Sequence, residues 1–281
     1  MDWCHLKIPL NRQKLEVGGD DVKEDILISI IIPAYNAEKT IDEAIQSVFQ
    51  QTYQKWELII INDCSSDKTE EFVKKYLDQN NKIIFLNNEK NLGVSATRNK
   101  GIAASKGEWI AFLDSDDKWN SEKLEKQVRL IKKNKMADLV FTGIAFINHR
   151  GLVSQYLLEV PESIGYRQLL KQNLIYCSSV MVKKELVINY RMQNDKMHED
   201  YAVWLQLLKD GYHAFGINEP LLIYRVSENS KSSNKRYAAK MTYRVYRFMK
   251  LNCIECVYFF MIYAVRNIYK YKKIREGFLN G

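Results

Sequence analysis

The stretch Trp109-Ile110-Ala111-Phe112-Leu113-Asp114-Ser115-Asp116-Asp117 is an apolar strand that ends in three carboxylates within four positions. Carboxylates crowded at the end of a buried strand repel one another and are costly to keep ionised unless a cation, or a ligand carrying one, lies among them. Hard oxygen donors suit Mg2+ or Mn2+, which phosphate-handling sites hold with one or two carboxylates and the phosphates of the ligand. A second reading is a helix start: Ser115, Asp116 and Asp117 precede an amphipathic segment that begins at Asn120, and any of them is a suitable cap. A cap accounts for one acid and leaves two unexplained.

The strand belongs to a repeating pattern. From Leu27 onward, short apolar runs alternate with helical periodicity at the spacing of a parallel sheet flanked by helices. A strand over residues 27–32 stops at Pro33, and a helix is predicted over 38–50, where Ile41, Ala44, Ile45 and Val48 share one face. A strand over 56–61 ends at Asn62 and Asp63, a helix covers 68–77, a third strand 82–86 and a third helix 94–105. The fourth strand delivers Asp114. Pro33-Ala34-Tyr35-Asn36, Asn62-Asp63 and Asp114-Ser115-Asp116 thus all fall at carboxyl ends of strands, the edge at which open parallel sheets bind ligands. Ordinary strand-to-helix turns also carry Asp and Asn, but no G-x-G-x-x-G or Walker pattern follows the first strand, which disfavours a dinucleotide or P-loop site.

Beyond Lys135 the pattern changes. Residues 138–141 and 144–147 read as short strands, and Asn148-His149-Arg150-Gly151 as a turn into a strand over 152–158, giving a mixed sheet. A helix over 166–171, a strand over 178–182 and a polar loop over 189–198 follow. Glu199 and Asp200 open a helix with Tyr201, Trp204, Leu205 and Leu208 along its apolar face, and strands over 213–217 and 221–226 close the globular part. Acids in a first turn are common because the helix dipole favours their ionised forms, so by itself the pair signals nothing more.

Composition narrows the classes further. The chain has 281 residues and a net charge of +8, but residues 231–281 hold 12 of the 42 Lys and Arg and 2 of the 34 acids. The body is near neutral and the tail basic, which points to a tail facing an anionic surface, with no nucleic-acid partner. Five cysteines in a chain of this length do not form a disulfide framework, which fits a reducing, cytoplasmic compartment. Cys253 and Cys256 make a C-x-x-C with no second pair to complete a zinc site. Residues 1–25 read as a loose leader without the apolar core of a secretory signal, and no apolar run approaches the roughly 20 residues of a membrane span. In the tail, Tyr243, Tyr246, Phe248, Tyr258, Phe259, Phe260 and Tyr263 interleave with Arg244, Arg247, Arg266, Lys270, Lys272 and Lys273. That mixture suits a helix in a membrane interface or a helical pair packed on the domain or on a second copy in an oligomer.

Five pieces in order, Ile32-Pro33-Ala34-Tyr35-Asn36, Ile61-Asn62-Asp63-Cys64-Ser65-Ser66-Asp67, Asn91-Leu92-Gly93 with Ala96-Thr97-Arg98-Asn99, Leu113-Asp114-Ser115-Asp116-Asp117 and His198-Glu199-Asp200, resemble the inverting glycosyltransferases of family 2. The resemblance runs from about Ser29 to Ser233 and departs mildly at Cys64, where the family usually has a small or polar residue. It implies a GT-A fold, that is, a Rossmann-like mixed α/β sheet flanked by helices, with a C-terminal helical tail. It divides the chain into a leader (1–25), a glycosyltransferase domain (26–233, with a nucleotide-binding half 26–117 and an acceptor half 118–233) and a basic aromatic tail (234–281). It implies a nucleoside-diphosphate sugar as donor, usually UDP, and a divalent metal, Mn2+ or Mg2+. Pro33, Ala34, Tyr35, Asn36 and Asp63 then hold the nucleoside, with Arg98 and Ser115 near the donor. Asp114 contacts the ribose or the metal, and Asp116 binds the metal between the two phosphates. Asp117 remains open to the capping role. Asp200 resembles the general base, with Glu199 orienting it or binding acceptor. Arg225, with Ser230, Ser232 and Ser233, resembles a segment that folds over the diphosphate, and reads equally well as a polar linker. The expected reaction is transfer to a hydroxyl of a glycan or lipid-linked glycan in surface polysaccharide or lipopolysaccharide synthesis, at the inner face of the membrane. A sugar nucleotidyltransferase and a noncatalytic carbohydrate- or nucleic-acid-binding module are the competing readings. The first would carry a glycine-rich loop ending in Arg and Lys after strand one, and the second needs neither a carboxylate cluster nor a separate acid pair.

Overall fold

The computed structural model describes residues 26–77, 81–193, 195–226 and 235–279. Its first half is β1 (Ile28–Ala34), α1 (Ile41–Phe49), β2 (Trp56–Asn62), α2 (Thr69–Leu77), β3 (Ile83–Asn87), α3 (Val94–Ala104) and β4 (Trp109–Phe112). The second half comprises β5 (Lys118–Trp119), α4 (Lys123–Lys133), β6 (Leu139–Asn148), β7 (Val153–Leu158), β8 (Ser163–Ile164), α5 (Tyr166–Lys171), β9 (Met181–Lys183), α6 (Lys184–Asn189), α7 (Glu199–Lys209) and β10 (Ala214–Val226). Helices α8 (Lys235–Phe248) and α9 (Cys253–Leu279) follow.

One mixed sheet carries the molecule in the order β3-β2-β1-β4-β9-β6-β10-β5, with β7 added beside β6 and β8 beside β10. Strands β1 to β4 are parallel to one another, and β9 runs antiparallel between β4 and β6. The isoleucine-rich central strands are buried on both faces, as strands covered by helices on either side must be. Ile31, Ile59, Ile61, Ile110 and Phe112 face a core shared with α7 and α8, whereas Ile30, Ile32, Leu58, Ile60 and Ala111 face one shared with α1 and α4. This is the expected mixed α/β sheet.

Several sequence expectations change in detail. The two short strands expected at 138–141 and 144–147 are the single strand β6, and those expected at 213–217 and 221–226 are the single strand β10. Gly143 and Pro220, which read as breakers, are register partners flanking a bulge in β10. A Cβ at Gly143 would stand 2.8 Å from the Glu219 carbonyl oxygen, so the glycine permits a close backbone approach and makes no turn. The strand expected over 178–182 is shortened because residues Cys177–Ser179 form a 3-10 turn before β9. Residues 115–117 do not cap a helix: α4 begins at Lys123, with the Asn120 carboxamide accepting from the Glu122 N–H at 3.0 Å. The leader lies outside the described residues, as do Ser230, Ser232 and Ser233.

The tail helices pack on the domain through one side. Tyr246 donates to the Leu170 carbonyl, Ser154 to the Ile274 carbonyl, and Gly277 lies so close to β7 that a Cβ would meet Ser154 Oγ at 2.2 Å. The other side of α9 exposes Ile254, Val257, Met261, Val265 and Ile268 at helical spacing. Among the described residues no helix is long and apolar enough to cross a membrane.

Helix α3, which carries Arg98, is pressed against the sheet at Gly101, where a Cβ would meet Ile31 at 2.6 Å and Ile61 at 2.8 Å. Gly101→Val is expected to lower stability by about 1–3 kcal/mol through overpacking, more than the few tenths gained from the better helix propensity of Val. Urea unfolding measures it, and an unchanged midpoint would show that α3 does not lie this close.

Candidate active site

The strand register decides what meets at the carboxyl edge. Ala34 lies opposite Asn62, and Ile31 opposite Phe112. The turns after β1, β2 and β4 are therefore side by side at the point where strand order reverses, the crevice in which such sheets bind ligands. Pro33, Ala34, Tyr35, Asp63, Arg98, Asp114, Ser115 and Asp116 line one cleft there, of about 1250 Å³, together with Glu199 and Asp200 from the start of α7. The acid pair, some 85 residues beyond the aspartate cluster in sequence, thus shares its cavity.

Arg98 makes that junction. It is buried, and its two terminal nitrogens donate to Asp114 Oδ1 at 2.5 Å and to Glu199 Oε1 at 2.7 Å. Burial opposes its charge, but the carboxylates of Asp114 and Glu199 outweigh this and hold its pKa well above the ordinary value. Arg98, expected near the donor, lines the cleft as the ion-pair partner of acids across the strand edge. One carboxylate oxygen of Glu199 is thereby taken by Arg98.

Crowding of the aspartates has the electrostatic cost anticipated from sequence. Burial, and then the charge of Asp114, push Asp116 up to about 6, with Arg225 and Arg98 pulling the other way. Asp117 is driven well above the carboxylate range by burial and by Asp116 and Asp114. Its Oδ1 accepts from the Arg225 N–H at 2.9 Å, while its buried Oδ2 has no partner among the described residues. The residues fit a divalent cation: an orphaned buried oxygen beside a carboxylate held near neutrality is what an added positive charge would relieve. Among the described residues no cage of three or more acidic, His or Cys ligands is preformed. Asp114 already holds Arg98, so of the two Asp116 would be the principal ligand to such an ion, and the remaining oxygens would come from the ligand's phosphates.

Three sequence candidates differ from expectation. Arg225 does not line the cleft. Its N–H, Nε and Nη2 bind the Asp117 carboxylate, the Asp116 carbonyl at 3.0 Å and Glu43 at 3.1 Å, so it braces the aspartate turn from behind. Asn36 also stands outside the lining. It has a left-handed backbone (φ 48°), tolerated by Asn, and its carboxamide accepts from the Ser66 N–H at 2.9 Å, tying two loops together. Asp63 lines the cleft but is already an acceptor for Asn88 and for the Leu92 and Gly93 N–H groups at 2.7–2.9 Å, leaving one lone pair for a ligand. Tyr35 is 52% exposed, so its ring is available for stacking instead of filling the core.

Asp200 stands apart from the aspartate cluster, at the start of α7. Its carboxylate has no side-chain partner among the described residues; burial raises its pKa, and Arg98 and the backbone N–H groups of the helix start pull it back. Sequence reasoning missed Ser178, whose Oγ accepts from the Asp114 N–H at 3.0 Å, and Tyr176, Tyr224 and Lys270, which line the same cleft. Nothing in the local sequence marks them, because the 3-10 turn and α9 reach the site only through tertiary packing.

This arrangement has known counterparts. A family model described as Glycosyl transferase family 2 matches residues 29–190, more than half of the chain. The chain belongs to that family. Its relatives include the putative teichuronic acid biosynthesis glycosyltransferase TuaG of Bacillus subtilis (strain 168), 38% identical over 247 residues that cover 87% of this chain and 97% of that one. The UDP-Glc:alpha-D-GlcNAc-diphosphoundecaprenol beta-1,3-glucosyltransferase WfgD of Escherichia coli is 36% identical over 251 residues, covering 88% of this chain and 96% of that one. Among solved structures, S. aureus TarS 1-349 in complex with UDP-GlcNAc superposes with a TM-score of 0.65 at 22% identity, over 79% of this chain and 64% of that one. The mannosyltransferase PcManGT from Pyrobaculum calidifontis, in complex with GDP-Man and Mn2+, gives 0.65 at 15% identity, over 82% and 66%. These structures establish the GT-A fold, and the family makes the chain a glycosyltransferase; TuaG is named for the synthesis of a surface polysaccharide. The nucleotidyltransferase and noncatalytic readings are set aside.

Removing one partner of a buried ion pair leaves the other charge uncompensated, at a cost of about 3–5 kcal/mol. Arg98→Met is expected to lose stability on that scale, and Arg98→Met with Glu199→Gln to recover part of it, since one stranded charge is then gone. Chemical denaturation of both variants checks this; a double variant no more stable than the single one would remove Glu199 from the network.

Proposed function

We propose that this family 2 glycosyltransferase moves a hexose from a UDP-sugar to a hydroxyl of a lipid-linked glycan, with inversion, using Asp200 as the general base. The observation that carries the reading is the contrast within one cleft. Asp114 and Glu199 are held by Arg98, and Asp116 and Asp117 lie together in the aspartate turn, whereas Asp200 stands apart from that turn with a carboxylate of raised pKa and no side-chain partner among the described residues. A carboxylate of raised pKa is the better base for taking a hydroxyl proton. The acceptor oxygen attacks the anomeric carbon as Asp200 removes its proton, and the bond to the nucleoside diphosphate breaks on the opposite side. Pro33 and Tyr35 offer the nucleoside a stacking surface and Asp63 one remaining acceptor, with Ser115 beside them. A divalent ion at Asp116 would neutralise charge on the departing diphosphate.

Support for the donor and acceptor classes comes from relatives: WfgD is named for a UDP-sugar and a diphosphoundecaprenol-linked acceptor, and TarS is described with UDP-GlcNAc. The description of PcManGT with Mn2+ supports the metal. The exposed apolar stripe of α9, next to the basic tail, supports peripheral attachment at the inner membrane face. The sequence-stretch division into nucleotide and acceptor halves with a separate tail is part of the same proposal.

Asp200→Asn is expected to bind UDP with Mn2+ as the wild type does and to lose about 100- to 10,000-fold in transfer rate; calorimetry and a transfer assay separate the two, and retained turnover would overturn the base assignment. A second measurement concerns Asp116. Because its carboxyl titrates near 6 in the free protein, protons compete with the cation below that pH. UDP with Mn2+ should raise the Tm at pH 7.5, and the rise should fade as pH drops through 6; a rise undiminished at pH 5 would count against Asp116.

A further inference from the structure

Lys270 lies in α9, outside the residues matched by the family model, and lines the cleft. It is 4% exposed. Its Nζ donates to the Tyr176 hydroxyl at 2.8 Å and stands 5.3 Å and 5.0 Å from the ring centroids of Tyr176 and Tyr271. No carboxylate among the described residues pairs with it. Arg98 is matched by Asp114 and Glu199 and Arg225 by Glu43, while buried Lys123, which does not line the cleft, is held by Gln127 Oε1 at 2.9 Å and the Trp119 ring. An ammonium has three donors, and burying one against a single hydroxyl and two ring faces leaves most of its desolvation uncompensated. Tyr176, which accepts from Lys270, retains its own proton as a donor; burial foremost, with the charges of Tyr156, Asp117 and Asp200 behind it, keeps that hydroxyl protonated. The pair therefore presents N–H and O–H donors to the cleft with no internal acceptor for them, which is an arrangement for an anion.

Its position tells which anion. Tyr263 of α9 packs on Tyr201, the residue after Asp200, with ring centroids 6.2 Å apart, so this wall adjoins the base. The nucleoside candidates Pro33, Tyr35 and Asp63 project instead from the β1–β2 edge. The same cleft is walled by Ala238 and Met241 of α8 and by Phe260 and Ala264 of α9, with Arg275 adding a cation and Glu276 an anion. A phosphate bearing a hydrocarbon chain matches a buried cation flanked by such a surface.

We propose that Lys270, with Tyr176, is the subsite for a phosphate of the lipid-linked acceptor, whose hydrocarbon lies along the α8–α9 wall. The proposal rests on the transferase reading above and adds a site to it. Farnesyl diphosphate serves as the probe, measured by calorimetry on the full chain with UDP and Mn2+ saturating so that the donor site is filled. Wild type should bind it more tightly than inorganic pyrophosphate. Lys270→Met should weaken it by about 10- to 100-fold, the scale of one charge-assisted contact, with UDP affinity unchanged and Tm no lower, since an unpaired buried charge is removed, and Lys270→Arg should restore part of the loss. Equal affinity for farnesyl diphosphate in wild type and Lys270→Met, or no binding by wild type, would overturn the subsite. Loss of UDP affinity in Lys270→Met, or competition between the two ligands, would assign the lysine to the donor diphosphate and overturn it also. Failure of UDP with Mn2+ to bind wild type would instead sink the transferase reading on which it rests.

Discussion

Arg98 is the constraint on which the site depends. One buried guanidinium joins Asp114, at the end of a central strand, to Glu199, at the start of a helix about 100 residues later in the chain. Two carboxylates brought that close inside the protein repel, and a planar donor fork that never loses its proton is the side chain able to hold both. Fixing Glu199 fixes the first turn of α7, and with it the direction of Asp200. The ion pair also occupies Asp114 and Glu199, so that Asp116 and Asp200 are left without side-chain partners among the described residues.

Much of the remaining polar structure serves the same end. Arg225 braces the aspartate turn from the side away from the cleft, Ser178 holds the Asp114 backbone, and Asp63 organises the turn at Leu92 and Gly93 that opens α3. Asp195 joins them there by accepting from the Ser95 N–H at 2.9 Å, and it fills the space a Cβ at Gly93 would need. Each of these groups trades availability to ligand for rigidity of the frame. A site that must place a hydroxyl in line with a leaving group gains more from fixed geometry than from additional contacts.

Legibility followed the range of the interactions. The parallel first half was readable because strands buried on both faces are unbroken isoleucine runs and amphipathic helices repeat at their own period. The irregular second half was less so. Gly143 and Pro220 are punctuation when read locally and partners across a bulge in three dimensions. Ser178 and Ser179 read as the start of a strand and instead belong to a 3-10 turn, in which Ser178 accepts from the Asp114 N–H and the Trp119 indole N–H. Arg225 had the composition of a ligand-binding segment, and its partners, 108 residues and more away, turned it to bracing.

By itself, the sequence determined the α/β alternation, the carboxylate cluster at the end of β4, and the ordered motifs that resemble family 2, since each rests on residues adjacent in the chain. Tertiary structure alone decided which acids are free. Asp114, Glu199 and Asp117 are chemically as able as Asp116 and Asp200 to bind a metal or a proton, and their difference lies wholly in the partners brought to them from distant elements. The same holds for Lys270: in sequence it is one cation in a basic tail, and packing of α9 over the cleft buries it beside Tyr176 without a counter-charge. Charge and burial act over a few ångströms in space, and that distance is set by the fold and not by position along the chain.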